Sequence, residues 1–167
     1  SSKIINDLGF PLILVGDSAS MVIYGYDNTT PITMEEMLFV LKAVVRGSKT
    51  SLVVADMPFL SYQPSAEEAI KNAGVFIKNG ANAIKLEGGK EHCDKIVKLV
   101  GAGIPVMGHI GLMPQSINLT SGYKIQGKNK NDANKIIEDA LAVEKAGAFS
   151  IVLEGIPSNL AKTISQK

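Results

Sequence analysis

Short, nearly continuous apolar runs alternate along this chain with stretches whose apolar residues recur every three to four positions. The runs at 12–15, 52–54 and 151–153, with shorter ones at Ile84 and Val106, are rich in β-branched residues. Strands buried on both faces of a parallel sheet read this way. Between them, Thr33 and Glu36 form a capping box, and Met34, Met37, Leu38, Leu41 and Val45 carry a helix on to about Arg46, with Gly47 to stop it. Ser65 and Glu68 repeat the device for a second helix ending near Asn79, before Gly80. A third helix is expected over about 91–100, a fourth from near Asp132 to just before Gly147, and a short fifth from Ser158, after Pro157. Ile4, Ile5 and Leu8 ahead of Gly9 read as the last turn of a further helix.

The order is strand then helix, five times over. It allows an open doubly wound sheet or an arc of an eight-stranded β/α barrel, and the glycine-rich phosphate fingerprint that would favour the first is absent. The expectation is therefore an α/β chain forming a partial (β/α)8 barrel with five β/α units, in a single domain over 1–167. Because a closed barrel takes eight units and about 250 residues, the sequence is expected to be part of a larger barrel.

Every one of these runs leads to an ionisable side chain: Asp17, Asp56, Glu87, His109 and Glu154 in turn. In a parallel sheet with helical crossovers the carboxyl ends of the strands open on one face, so these residues should meet there. The segments Val15-Gly16-Asp17-Ser18, Ala55-Asp56-Met57-Pro58-Phe59 and Lys85-Leu86-Glu87-Gly88-Gly89 each join a carboxylate to a turn or glycine that lets a ligand approach. Hard oxygen ligands from separate strands suit Mg2+, which keeps waters and leaves positions for substrate; the alternative is that the acids cap helices or pair with lysines. Lys85 and Glu87 lie two apart in a strand and point to one side, so Lys85 reaches inward, either to a ligand or into a salt bridge with Asp56 or Glu87. Glu154, in an aliphatic setting, suits a general base, or else caps the turn at 155–158. His109 is read as structural or as an accessory to the site, and His92 as solvated surface. The long connection over 112–131, carrying Tyr123, Lys124 and Gln126, suggests a lid or an interface.

Composition narrows the partner. With 46% hydrophobic and 20% charged residues and a net charge of +1, the chain has no basic stripe or acidic tail, which argues against nucleic acid or a membrane surface and for a small molecule. Its lone cysteine, Cys93, excludes an internal disulfide and cysteine-based zinc sites and suits the cytoplasm. No apolar run approaches the roughly 20 residues of a membrane span, and the start lacks a signal-peptide pattern. Asn118-Leu119-Thr120 matches a glycosylation acceptor, read as chance.

Taken together, Gly16-Asp17-Ser18, Gly25-Tyr26-Asp27-Asn28-Thr29-Thr30-Pro31, Ala55-Asp56-Met57-Pro58-Phe59, Lys85-Leu86-Glu87-Gly88-Gly89, residues 105–112, Pro114-Gln115-Ser116 and residues 122–127 closely resemble the ketopantoate hydroxymethyltransferase family. The resemblance runs nearly end to end and implies a β/α barrel related to phosphoenolpyruvate mutase and isocitrate lyase. It implies magnesium-dependent, aldol-type chemistry through a metal-stabilised enolate, in which 5,10-methylenetetrahydrofolate gives a one-carbon unit to 3-methyl-2-oxobutanoate (α-ketoisovalerate), yielding ketopantoate for pantothenate and coenzyme A synthesis. Carried over by position, Asp17, Asp56 and Glu87 are the metal-site acids, Asp17, Ser18, Asp56 and Lys85 contact the keto acid, and Glu154 is the proton acceptor. A homo-oligomer is also implied. The chain departs from the family pattern at Ala19-Ser20, Met113 and Gly155. The competing expectations are another magnesium-dependent keto-acid lyase or mutase of the same barrel superfamily, separated by folate dependence, and an inactive truncated remnant.

Overall fold

A computed structural model describes residues 2–120, 122 and 124–166. Its five strands, β1 (Leu12–Val15), β2 (Leu52–Asp56), β3 (Ala83–Glu87), β4 (Val106–Gly111) and β5 (Ser150–Glu154), form one sheet in the order β1-β2-β3-β4-β5, every neighbouring pair parallel. A doubly wound sheet reverses its strand order at a switch point and carries helices on both faces. This order never reverses, so right-handed crossovers keep the helices on one side, and the sheet is an open arc of a β/α barrel, as expected.

The helices are α1 (Ser2–Asp7), α2 (Ala19–Val22), α3 (Met34–Gly47), α4 (Ala66–Lys78), α5 (Cys93–Gly101), α6 (Ile117–Thr120), α7 (Lys130–Lys145) and α8 (Ser158–Ser165). The capping box of α3 is complete: Glu36 N donates to Thr33 Oγ1 and Thr33 N donates to Glu36 Oε2. At α4 only half of it forms. Ser65 Oγ accepts from Glu68 N, while Glu68 Oε1 accepts instead from Asn72 Nδ2. Two boundaries differ from expectation. The third helix opens with a 3-10 turn at Lys90–His92, and α7 starts two residues before Asp132 because Asn129 supplies the cap, its side chain accepting from Asp132 N.

Alternation along the strands splits the sheet into two faces with different chemistry. The outer face buries Val53, Ala55, Ile84, Leu86, Val106 and Ile110 against Met37, Leu41, Phe76, Leu99 and Val143 of the helices, and this is the main core. The inner face carries a smaller apolar floor of Val54, Ala83 and Met107, flanked by Leu12 and Val152. Further toward the carboxyl ends, the same face carries Asp56, Lys85, Glu87, His109 and Glu154. A one-residue slip in any strand would exchange these faces, so packing of the outer core also aims the ionisable groups inward.

The long connection after β4 is not a bare loop. Pro114–Ser116 forms a 3-10 turn, α6 follows, and near its end Gln126 N donates to Gly155 O at 2.8 Å. Lys124 is exposed, and Tyr123 lies outside the described residues.

Candidate active site

Asp17, Ser18, Asp56, Lys85, Glu87, His109 and Glu154 all line a single cavity of about 340 Å3 at the carboxyl ends of the strands. Leu14, Met21, Pro114 and Val152 give it an apolar wall. Asp56, Glu87 and Glu154 are each the last residue of their strand, and Asp17 stands two past β1. His109 is inside β4 and not beyond its end, in register with Glu87 on one side and Val152 on the other. Other cavities lie elsewhere: one of about 290 Å3 between α7, β5 and α8 is walled by Ile137, Leu141, Phe149 and Ile164 and brings no acid and base together.

Asp17, Asp56 and Glu87 are buried and densely bonded. Lys85 Nζ lies 2.5 Å from Asp56 Oδ1 and 3.8 Å from Glu87 Oε1. Asp17 N donates to Asp56 Oδ2 at 3.1 Å. Gln115 Nε2 donates to Asp17 Oδ2 at 2.9 Å, and Gln115 N donates to Glu87 Oε2 at 3.1 Å. Glu87 Oε1 has no hydrogen-bond partner; His109 Nδ1 is 3.6 Å from it, and His109 Nε2 is 3.4 Å from Glu154 Oε2.

Burial dominates the electrostatics. It pushes the Glu87 carboxyl up to about 8, although Lys85 pulls the other way. Burial, then the charge of Asp56, lifts Asp17 to about 6. Burial lowers Lys85, but Asp56, Glu87 and Asp17 together outweigh it and hold its pKa above the ordinary lysine value. Burial and the Lys85 ammonium drive His109 down to about 3, so its imidazole is neutral at physiological pH. Glu154, 44% exposed at its side chain, is raised by partial burial.

Three buried acids thus face one ammonium, and among the described residues lining the cavity no further lysine or arginine stands beside them. A divalent cation beside Asp17, Asp56 and Glu87 would restore the balance and relieve the raised carboxyls. Among the described residues no group of three or more His, Cys, Asp or Glu forms a ready ligand cage.

Several alternatives left open by the sequence close here. The helix after Asp17 and the helix after Glu154 have no side-chain cap, so neither acid is a capping residue. The lysine of β3 does form a salt bridge, with Asp56, while still lining the cavity. His92 is not solvated surface: it is half-buried with its ring edge-on to Tyr62 at 5.4 Å between centroids, because the 3-10 turn folds it back under Gly88. Three participants carried no signal as individual residues. Gln115 and Tyr62 bond the acids from irregular segments, and Thr29 lines the cavity with its hydroxyl buried and without a partner.

The sequence profile described as ketopantoate hydroxymethyltransferase matches residues 1–167. The chain belongs to this family. Among its relatives, the 3-methyl-2-oxobutanoate hydroxymethyltransferase of Thermosipho melanesiensis is 56% identical over 167 residues, covering 100% of this chain and 63% of the relative. That of Carboxydothermus hydrogenoformans is 58% identical, covering 99% and 60%. The chain therefore spans about three fifths of the length of the curated ketopantoate hydroxymethyltransferases it matches. Solved structures show the same fold at low identity. A phosphonopyruvate hydrolase complexed with oxalate and Mg2+ superposes with a TM-score of 0.73 at 15% identity, over 99% of this chain and 59% of that one. A 2,3-dimethylmalate lyase, described as a member of the PEP mutase/isocitrate lyase superfamily, gives 0.71 at 18%, with the same coverage. No helix among the described residues is long and apolar enough to cross a membrane. At the family departures, Ser20 Oγ donates to Asn28 O at 2.6 Å. Gly155 adopts φ +57°, with the place of a Cβ only 2.8 Å from Leu112 Cβ, so a side chain there would need local movement.

Proposed function

We propose that the protein of which this chain is the sequence transfers a hydroxymethyl group from 5,10-methylenetetrahydrofolate to 3-methyl-2-oxobutanoate, giving 2-dehydropantoate for pantothenate and coenzyme A synthesis, as a cytoplasmic homo-oligomer. The observation that carries this reading is the convergence of Asp17, Ser18, Asp56, Lys85, Glu87, His109 and Glu154 on one cavity in a chain of this family. A small branched keto acid suits that cavity, because its carboxylate and carbonyl need cationic or donor partners while its isopropyl group needs an aliphatic wall such as Leu14, Met21 and Val152.

Asp17, Asp56 and Glu87 would hold Mg2+, which when bound would supply Lewis-acid stabilisation of negative charge on the keto acid's carbonyl oxygen. Lys85 offers an ammonium fixed by Asp56 to the carboxylate end of the substrate, and the exposed Ser18 offers a hydroxyl. Glu154 takes the proton from the carbon beside the carbonyl. Its carboxylate is partly exposed to the cavity mouth, and its raised pKa makes it a stronger base than an ordinary glutamate. His109, neutral and 3.4 Å from Glu154, stands by as a polar neighbour that adds no charge.

The test uses the whole protein in deuterated water with Mg2+ and 3-methyl-2-oxobutanoate. Loss of the C3 proton signal by NMR without folate, and appearance of 2-dehydropantoate only when 5,10-methylenetetrahydrofolate is added, is the expected result. Cleavage of the keto acid without folate would point instead to a lyase. The Asp56→Ala variant should lose magnesium-dependent binding of the keto acid in calorimetry, and unchanged binding would remove Asp56 from the site.

A further inference from the structure

A residue that the proposed chemistry does not use, Gln115, hydrogen-bonds two of the buried acids. Gln115 is 4% exposed and lies in the 3-10 turn at Pro114–Ser116, on the connection between β4 and α7. Its Nε2 donates to Asp17 Oδ2 and to Met57 O, both at 2.9 Å, and its Oε1 accepts from Tyr62 Oη at 2.9 Å and from Gln63 Nε2 at 3.1 Å. Its backbone N–H donates to Glu87 Oε2. One residue therefore touches the loop after β1, the end of β3 and the segment that follows β2.

The orientation of this amide is fixed by chemistry. Met57 O can only accept, so the nitrogen of the amide must face it, and a flipped amide would set two oxygens against each other there. With the nitrogen so placed, its second hydrogen points at Asp17, and Tyr62 holds the oxygen end. Tyr62 Oη in turn accepts from Glu87 N at 3.1 Å, so the tyrosine and the glutamine brace the same glutamate from its backbone and its side chain. Each acid has one carboxylate oxygen committed to Gln115: Oδ2 in Asp17 and Oε2 in Glu87. Glu87 Oε1 is left without a hydrogen bond, with Lys85 Nζ at 3.8 Å.

We propose that Gln115 is a positioning residue that orients the Asp17 and Glu87 carboxylates toward a divalent cation and so makes cation binding depend on docking of the Pro114–Ser116 turn. This rests on the reading that Asp17 and Glu87 serve a divalent cation. Gln115 touches no reacting atom in that scheme. Its removal should therefore act through cation affinity, and saturating cation should restore turnover.

The experiment measures binding of Mn2+, an oxygen-seeking stand-in for Mg2+, by the electron paramagnetic resonance signal of the free ion, in the whole protein. Gln115→Met keeps the length of the side chain without its donors, and Tyr62→Phe removes only the hydroxyl that anchors the amide. Gln115→Met should bind Mn2+ about 10–100-fold more weakly, the usual effect of losing a group that orients a metal ligand, with kcat recovering at saturating Mn2+. Tyr62→Phe should weaken binding in the same direction by about two- to tenfold, because its hydroxyl bonds both the Gln115 amide and the Glu87 backbone. Circular dichroism and a cooperative thermal melt check folding. Unchanged Mn2+ affinity in a folded Gln115→Met overturns the proposal, as does a kcat loss that saturating Mn2+ does not restore. Should Gln115→Met not fold, unchanged affinity in Tyr62→Phe overturns it. A wild-type protein that binds no Mn2+ overturns the cation reading itself, an outcome distinct from wild-type binding that ignores Gln115.

Discussion

Lys85 Nζ and Asp56 Oδ1 lie 2.5 Å apart across adjacent parallel strands, and each side chain is only 3% exposed. The pair sits above the apolar floor of Val54, Ala83 and Met107, so neither charge can turn to bulk water if its partner is lost. Breaking a buried pair from one side typically costs about 3–5 kcal/mol, whereas removing both charges is far milder. Lys85→Met is expected to lose stability in that range, and Lys85→Met with Asp56→Asn to regain most of it. Urea unfolding measures both, and a single variant as stable as wild type would show that the pair is not what holds this level of the sheet.

Gly108 lets β4 approach α7. A Cβ at this position would fall 2.5 Å from Val143 Cγ1, and Val143 is fully buried. Gly108→Ala should therefore cost about 1–3 kcal/mol by overpacking. Val143→Ala makes the room, so the double variant should be less destabilised than the two single losses added together. Strict additivity in a denaturation cycle would refute the contact. Because His109 follows Gly108 directly, the single variant should also disturb the cavity.

What was legible in the sequence was whatever obeyed a local period. Asp56, Lys85, Glu87 and Glu154 could be placed on one face because residues two apart in a strand share a side, and the capping box of Thr33 and Glu36 is contained within three residues. Asn129 does not stand out as the cap because Asp132, its partner, looks like a helix start by itself. Gln115 could not be assigned a role from spacing. Its bond to Asp17 joins residues 98 apart in sequence, and its bond to Tyr62 joins residues 53 apart, so only the assembled barrel brings them together. His92 read as solvated because nothing beside it in sequence covers it; Tyr62 does so across the fold.

The raised carboxyl of Glu87 sets a pH dependence with a definite sign. Its pKa is about 8 in the folded protein and ordinarily 4.5, so the folded state binds a proton that the unfolded state has released. Stability should fall as pH rises from about 6.5 to 8 without divalent cation, by at most about 1.4 kcal/mol per pH unit for one proton. Asp17, at about 6, adds the same trend at lower pH. His109 works the other way: lowered from 6.5 to about 3, it favours the folded state above 6.5 and loses that contribution as pH falls, which is why the clean window lies above 6.5. Binding of Mg2+ near Glu87 at pH 7 should expel close to one proton, read by calorimetry in buffers of different ionisation heat. No proton release would separate Glu87 from the cation.

Glu154 separates the base from the cation-facing acids. Its side chain is 44% exposed while those of Asp56 and Glu87 are 3% exposed, and its carboxylate lies 3.4 Å from His109 Nε2. Glu154→Gln should therefore leave binding of Mg2+ and of 3-methyl-2-oxobutanoate intact. It should slow exchange of the C3 proton with deuterated water by about 10²–10⁴-fold, the usual contribution of a general base. His109 is the first alternative, with Nε2 at 3.4 Å from the same carboxylate, but a group driven down to about 3 holds protons too weakly to be an effective base near neutral pH. His109→Asn should consequently slow exchange much less than Glu154→Gln. The reverse ranking, in variants that still bind the keto acid, would transfer the base role to the histidine.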